Sequence, residues 1–169
     1  MAKDEAREDM PEGFTLTMAL VDAVPVVLFC LSCIALGRRI GSASFVAGAA
    51  LAFAGGTLKV GWKLAMALLH KNVPFLSRQM RYTMPLGFLL MIAGVVDAVV
   101  QGRLDPACAW AAATSMPSAL LFLAWVACMG AMGYFAGHLD GLDARANWLE
   151  QGTNALGQAC LLAGVLLLP

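Results

Sequence analysis

The sequence predicts an all-α, polytopic integral membrane protein, built as a bundle of five transmembrane helices. Of its 169 residues, 60% are hydrophobic and only 13% are charged, and the mean hydropathy is +0.76. A water-soluble fold of this length could not cover so much apolar surface with so few charges. The apolar residues are also grouped in runs of roughly 20 residues or more, the length that a helix needs to cross a bilayer. We therefore expect one membrane domain over residues 14–169.

The segment before this domain, residues 1–13, is polar and rich in acidic side chains. This composition predicts a short acidic tail in the cytoplasm and does not fit the basic start of a signal peptide. The apolar run that follows is longer than a signal-peptide core, and no small-x-small cleavage site comes after it. We expect the first helix to be retained in the mature protein.

Five apolar runs supply the predicted transmembrane helices. They cover residues 14–36, 43–69, 83–101, 109–135 and 147–169. The second and fourth runs exceed the thickness of the hydrocarbon, so we expect them to tilt or to extend beyond it. Pro25 and Pro117 lie inside runs and predict kinks.

The longest connector, residues 71–82, mixes apolar side chains with the basic residues Lys71, Arg78 and Arg81. Such a mixture is typical of a segment that lies on the membrane surface. The three cations are expected to contact anionic lipid headgroups there.

The basic residues of the loops predict the orientation of the chain. Cytoplasmic loops carry an excess of Lys and Arg, which here places the N-terminus in the cytoplasm and the C-terminus outside a bacterial-type cytoplasmic membrane. Six basic residues fall on the predicted cytoplasmic side and three on the other, namely Lys3, Arg7, Lys71, Arg78, Arg81 and Arg145 against Arg38, Arg39 and Arg103.

Two lysines, Lys59 and Lys63, lie one helical turn apart inside the second apolar run. At a rise of about 1.5 Å per residue, Lys59 is roughly 15 Å from the inner end of that helix, too deep for its ammonium group to reach the interface. A charge at that depth costs at least about 2.5 kcal/mol, and it requires a partner, a water-filled cavity or loss of its proton. Small residues at every fourth position also predict close approach by a neighbouring helix, namely Ser44, Gly48, Ala52 and Gly56.

Polar side chains at a matching depth are the expected partners of these lysines. Asp22 lies roughly 12 Å into the first helix, and Glu150 begins a polar face on the fifth. We expect these two carboxylates to balance the lysines, with Asp22 paired to Lys59. The predicted site, here called the polar cluster, consists of Asp22, Lys59, Lys63, Glu150, Asn154 and Gln158.

Two interpretations of the polar cluster remain open at this point. Paired charges and amides can hold helices together without binding anything, each hydrogen bond adding about 0.5–1 kcal/mol. Intramembrane ionisable residues also line substrate, ion or proton paths. The two neutral amides suit a hydrated cavity better than a simple ion-pair clasp, which favours the second interpretation slightly.

The functional hypothesis is therefore a transporter or channel-like protein for a small, anionic solute or an ion. Five helices form a thin wall around a path, which favours a homo-oligomer. The alternative is a non-catalytic accessory or assembly subunit of a larger membrane complex, whose charged stripe docks another membrane protein. A lipid-modifying enzyme that uses residues 71–82 to hold headgroups ranks last, because the sequence presents no nucleophile with a base.

Catalytic and metal-binding motifs are missing from the sequence. There is no GxSxG, HExxH, P-loop or GxGxxG in a suitable context, so no catalytic residue, cofactor or metal site is predicted. Cys30 and Cys33 have CxxC spacing, but no His, Asp or Glu lies nearby in sequence to complete a ligand set. A formal net charge of zero and the lack of a Lys/Arg run argue against nucleic-acid binding.

Overall fold

The computed structural model describes residues 15–69, 73–139 and 143–169, and all regular secondary structure in them is helical. The predicted acidic tail, residues 1–13, lies outside this described part, as does Lys71. The helices are α1 (Leu16–Ile40), α2 (Ala43–Leu69), α3 (Pro74–Arg78), α4 (Met80–Val100), α5 (Pro106–Ala113), α6 (Ser118–His138) and α7 (Ala144–Leu166). The predicted all-α class is confirmed for the described residues.

Among the described residues, four helices are long and apolar enough to cross a membrane: α1, α2, α4 and the part of α6 that ends at Phe135. With 23 residues, α7 has the length for a crossing, but its polar side chains keep it out of this group. The described part of the chain therefore contains four apolar helices of this kind where the sequence predicts five, and α7 is the helix that differs.

The single helix predicted over residues 109–135 is wrong, because the chain forms two helices there. The first, α5, ends at Ala113, and α6 begins at Ser118. Pro117 has no backbone N–H to donate and disfavours helical geometry at Met116, so a continuous helix is interrupted at this point. The hydroxyl of Ser115 donates to the carbonyl of Ala112 at 2.7 Å, which satisfies one of the acceptors that the end of α5 leaves open.

The helices pack in a spatial order that differs from their order in the chain. Helix α2 packs against α4 on one side and α1 on the other, α1 also packs against α7, and α7 packs against α6. The order across the molecule is therefore α4, α2, α1, α7, α6. Helices α1, α2 and α7 form its middle, and the polar residues of all three can meet there.

Glycines make the contact between α2 and α4 unusually close. A methyl group placed on Gly48 would lie 2.5 Å from the carbonyl oxygen of Gly87, and one on Gly87 would lie 3.0 Å from Ala52. The prediction that small residues let a neighbouring helix approach is confirmed at Gly48 and Ala52. At Gly56 the nearest side chain is Val26 of α1, so that position faces a different helix.

One end of the molecule is held together by two arginines. Arg39 donates to the carbonyl oxygens of Leu168 and Pro169, both at 3.0 Å. Arg103 forms an ion pair with Asp97 at 2.6 Å and donates to the carbonyl of Gly41. The C-terminal ends of α1, α4 and α7 therefore lie at the same end, here called the arginine end.

Candidate functional site: a buried ion pair between three helices

Lys63 of α2 is the centre of a buried polar site. Its ammonium nitrogen lies 3.3 Å from Oδ2 of Asp22 in α1 and donates to Oδ1 of Asn147 in α7 at 3.3 Å. All three residues are buried: Lys63 is 2% exposed, Asp22 5% and Asn147 4%. This arrangement, here called the ion-pair site, joins the three middle helices.

Each side chain of the ion-pair site is positioned by the buried face of its own helix. Met18 and Pro25, one turn before and after Asp22, are buried on the same face of α1. Val60 and Met66 flank Lys63 in the same way on α2. Apolar packing on both sides therefore directs the carboxylate and the ammonium group into the contact between the helices.

The side chain of Asn147 is held in place by a hydrogen bond to Asp143, the N-cap residue of α7. Its amide nitrogen donates to the carbonyl oxygen of Asp143 at 3.0 Å. The Asp143 carboxylate in turn caps the helix, accepting from the backbone N–H groups of Arg145 and Ala146 at 3.1 and 3.3 Å, as an N-cap residue does. The Asn147 oxygen is thus left facing Lys63.

The expected pairing of Asp22 with Lys59 is wrong, because Asp22 pairs with Lys63. Lys59 lies one turn away and is partly buried, and no carboxylate in the described residues is within ion-pair distance of it. Both Lys59 and Glu150 are near enough to act electrostatically on Lys63, the first repelling its charge and the second attracting it. Asp22, Lys59, Lys63 and Glu150 therefore belong to one electrostatic group.

The polar face continues along α7 beyond the ion-pair site. Gln151 and Gln158 are 3% and 9% exposed, and the side-chain oxygen of each is buried without a hydrogen-bond partner among the described residues. Within the described segments, the amide nitrogen of Gln158 has one acceptor, the sulfur of Met129 at 3.9 Å, which is a weak one. Asn154 lies between them on the same face and is partly buried. We call the three buried amides, Asn147, Gln151 and Gln158, the amide row.

Asn147 and Gln151 are site residues that the sequence reasoning missed. They precede Asn154 and Gln158 by seven residues each, and seven residues are close to two helical turns. The repeated spacing was thus a signal that all four amides share one face of α7.

Two of the basic connector residues, Arg78 and Arg81, lie in the described part of the chain. Arg78 ends the short helix α3, and Arg81 lies in the first turn of α4. Both are exposed, beside the exposed rings of Phe75 and Tyr82. The side-chain amide of Gln79, between the two arginines, donates to the carbonyl of Gly55 at 3.1 Å, which holds the α3–α4 junction against α2.

Comparisons with protein-family models, with curated proteins and with solved structures find no match for this chain. In the described segments, no three His, Cys, Asp or Glu side chains are grouped as metal ligands would be. The ion-pair site and the neighbouring Lys59 together supply a carboxylate and two ammonium groups, and the amide row adds hydrogen-bond donors and acceptors along α7.

Proposed function

We propose that this chain is a five-helix membrane protein that moves a small solute or ion along the ion-pair site and the amide row, with α7 as the fifth crossing. The observation that carries the proposal is the pair of buried amide oxygens on Gln151 and Gln158, next to a buried ion pair, for which the described residues supply no hydrogen-bond donor. Charged and amide side chains within membrane helices typically mark such paths.

A purely structural role explains this set of residues less well. A clasp between helices gains most when every polar member is hydrogen-bonded, and a half-satisfied network is worse than an apolar contact. Lys63 and Asn147 satisfy this condition through their hydrogen bond, and Oδ2 of Asp22, which has no hydrogen bond among the described residues, is held by the charge of Lys63 at 3.3 Å. Gln151 and Gln158 do not satisfy it, because each leaves a buried oxygen that no charge or donor in the described part of the chain contacts. A passing solute or water molecule supplies that donor.

The proposed solute is a small anion. Lys63 forms an ion pair with Asp22 at 3.3 Å, whereas Lys59 has no carboxylate this close among the described side chains. An anion beside Lys59 would balance that charge, and protonation of Asp22 would release Lys63 as a second ligand. In this scheme Asp22 carries the coupling proton. The N-terminus faces the cytoplasm, following the loop charges.

The alternative role as an accessory subunit requires the lysine stripe to be presented to another protein. Lys63 and Asp22 are instead enclosed between helices of their own chain, at 2% and 5% exposure. This burial leaves them unavailable as a docking surface, so transport is the better-supported proposal.

The test is whether water reaches the amide row inside the membrane. Single cysteines are placed at Gln151 and Gln158 in a background whose five native cysteines are replaced, and the protein is reconstituted in liposomes. We expect both cysteines to react with a membrane-impermeant methanethiosulfonate reagent, because a path must open to water during transport.

Leu156→Cys is the matched control. Leu156 lies on α7 between the same two positions, but its side chain is exposed on the outside of the helix bundle, where lipid surrounds it. We expect this cysteine to stay unmodified. If the cysteine at Gln158 is as unreactive as the one at Leu156, the amide row is dry and the transport proposal is wrong.

A further inference from the structure

Three arginines lie at the arginine end, and two of them have partners there. Arg39 is bound to the carbonyl oxygens of Leu168 and Pro169, and Arg103 to Asp97 and Gly41. Arg38 makes no hydrogen bond or ion pair within residues 15–69, 73–139 and 143–169. One guanidinium group is thus left with its five donors available.

Arg38 also lies at the mouth of an apolar groove between α1 and α2, of about 440 Å³. The groove follows α1 from Arg38 down to Cys30, a length of about 12 Å along the helix axis. Its walls on α2 include the small residues Ala49 and Ala50, which leave room for a chain to lie between the helices. The lining is almost entirely apolar, with the charge concentrated at one end.

We infer that this groove binds one anionic phospholipid, with its phosphate on the Arg38 guanidinium group and an acyl chain lying along the groove. A guanidinium group matches a phosphate with two parallel hydrogen bonds. The apolar groove below it selects a lipid over a free phosphate ion, because only a lipid fills both parts. The charge of Arg38, which no carboxylate among the described residues balances, favours an anionic over a zwitterionic headgroup.

This inference does not depend on the proposed function. Asp22 precedes Arg38 by 16 residues on α1, which places the two sites about 24 Å apart along the helix. Loss of lipid at the groove therefore leaves the ion-pair site in place, and failure of the transport proposal leaves the lipid site untouched.

The experiment is native mass spectrometry of the purified protein in detergent, with phosphatidylglycerol and phosphatidylcholine of identical acyl chains supplied in equal amounts. We expect one tightly retained phosphatidylglycerol. Arg38→Gln should weaken its binding about 5-fold, since one basic residue contributes about 1 kcal/mol at an anionic headgroup. Arg38→Lys should bind at an intermediate level. Arg39→Gln should bind like the unmodified protein, because Arg39 is held by backbone carbonyls.

A second pair of variants keeps Arg38 and changes the groove. Ala50→Phe fills it and should abolish the retained lipid, whereas Ala47→Phe, an exposed position of the same helix outside the groove, should not. Equal weakening by Arg38→Gln and Arg39→Gln would show only general surface attraction and would overturn the inference. So would equal retention of phosphatidylcholine, unchanged binding in Ala50→Phe, or displacement of the lipid by inorganic phosphate at millimolar concentration.

Discussion

The ammonium group of Lys63 is stabilised by two partners of different kinds, the carboxylate of Asp22 and the amide oxygen of Asn147. Taking two charges out of water costs several kcal/mol each, and their attraction compensates only when the remaining donors and acceptors are also satisfied. Removing one member of such a pair strands the other as an unpaired buried charge. Removing both takes away the cost together with the attraction.

We expect Asp22→Asn and Lys63→Met to destabilise the protein by about 3–5 kcal/mol each. The double variant should recover most of this loss, since it contains no stranded charge. The measurement is the free energy of unfolding in mixed detergent micelles, assembled as a double-mutant cycle. Under the transport proposal the double variant is stable but moves no solute.

Lys59→Met serves as the control for this cycle. Lys59 has no ion pair within the described segments and repels Lys63, so its removal should leave the stability unchanged or raise it slightly. Additive losses from Asp22→Asn and Lys63→Met, or a large loss in Lys59→Met, would contradict the structure of the site.

The sequence grouped Asp22 with both lysines, but the predicted pair of Asp22 with Lys59 is wrong, because Asp22 pairs with Lys63. Lys59 and Lys63 are four residues apart, so they share one helix face and pattern alone treats them as equivalent. The choice depends on how far α1 is shifted along α2. That shift is set by packing contacts such as Gly56 against Val26, which belong to the tertiary structure.

At the scale of helices, the contact between α2 and α4 depends on the absence of side chains. The backbones meet at Gly48 and Gly87, where an added methyl group would overlap a carbonyl oxygen. In a membrane, helices gain little from hydrophobic burial against each other, so close packing of this kind supplies much of their association.

Gly48→Ala should therefore destabilise the protein by about 1–3 kcal/mol, the usual cost of overfilling a close contact. Gly130→Ala is its control, because nothing described lies within 4 Å of a methyl group at that position of α6. There the better helix propensity of alanine should leave stability equal or raise it by up to about 1 kcal/mol. Thermal unfolding in detergent measures both. Equal midpoints for the two variants would show that α2 and α4 are not in close contact.

Helix ends were harder to predict where apolar residues continue across a break. Residues 109–135 form one apolar run, and hydropathy alone predicts one helix. The break between α5 and α6 is encoded by Pro117 and the serine and threonine before it, which offer the backbone alternative hydrogen bonds. Pro117 predicts a kink, but a proline inside an apolar run can either kink a helix or end it, and the sequence does not distinguish the two.

At the scale of the whole molecule, the arginine end shows that the α1–α2 turn, the α4–α5 turn and the end of α7 lie together. The start of α7 lies at the opposite end of that helix, about 34 Å away for its 23 residues. If α7 crosses the membrane as proposed, its two ends are on different sides.

Cysteine labelling in intact cells checks this threading. In the cysteine-free background, Gln101→Cys should be labelled from outside, and Arg145→Cys only after the membrane is permeabilised. Both side chains are exposed, so access to the reagent depends on the membrane alone. The reverse pattern would invert the orientation, and labelling of both from one side would show that α7 does not cross.

Composition was sufficient to predict the helical class, because 60% apolar residues in long runs leave few other folds. Composition was not sufficient to predict that α7 is the least apolar of the long helices. Nor could it predict that α7 packs against α1. Asn147, Gln151 and Gln158 lower the hydropathy of α7, and their burial depends on neighbouring helices, with Lys63 of α2 against Asn147 and Met129 of α6 against Gln158.

The spatial order of the helices also has a consequence for synthesis. Asp22 leaves the ribosome first, and its partner Lys63 follows 41 residues later, so α1 and α2 can form a hairpin in which the Asp22–Lys63 ion pair is already made. Asn147 arrives only after α4, α5 and α6 have been made. Helix α7 is the least apolar of the long helices, and the hairpin already presents the Lys63 ammonium group when Asn147 is made. The contact of α7 with α1 therefore forms later than the contact of α1 with α2.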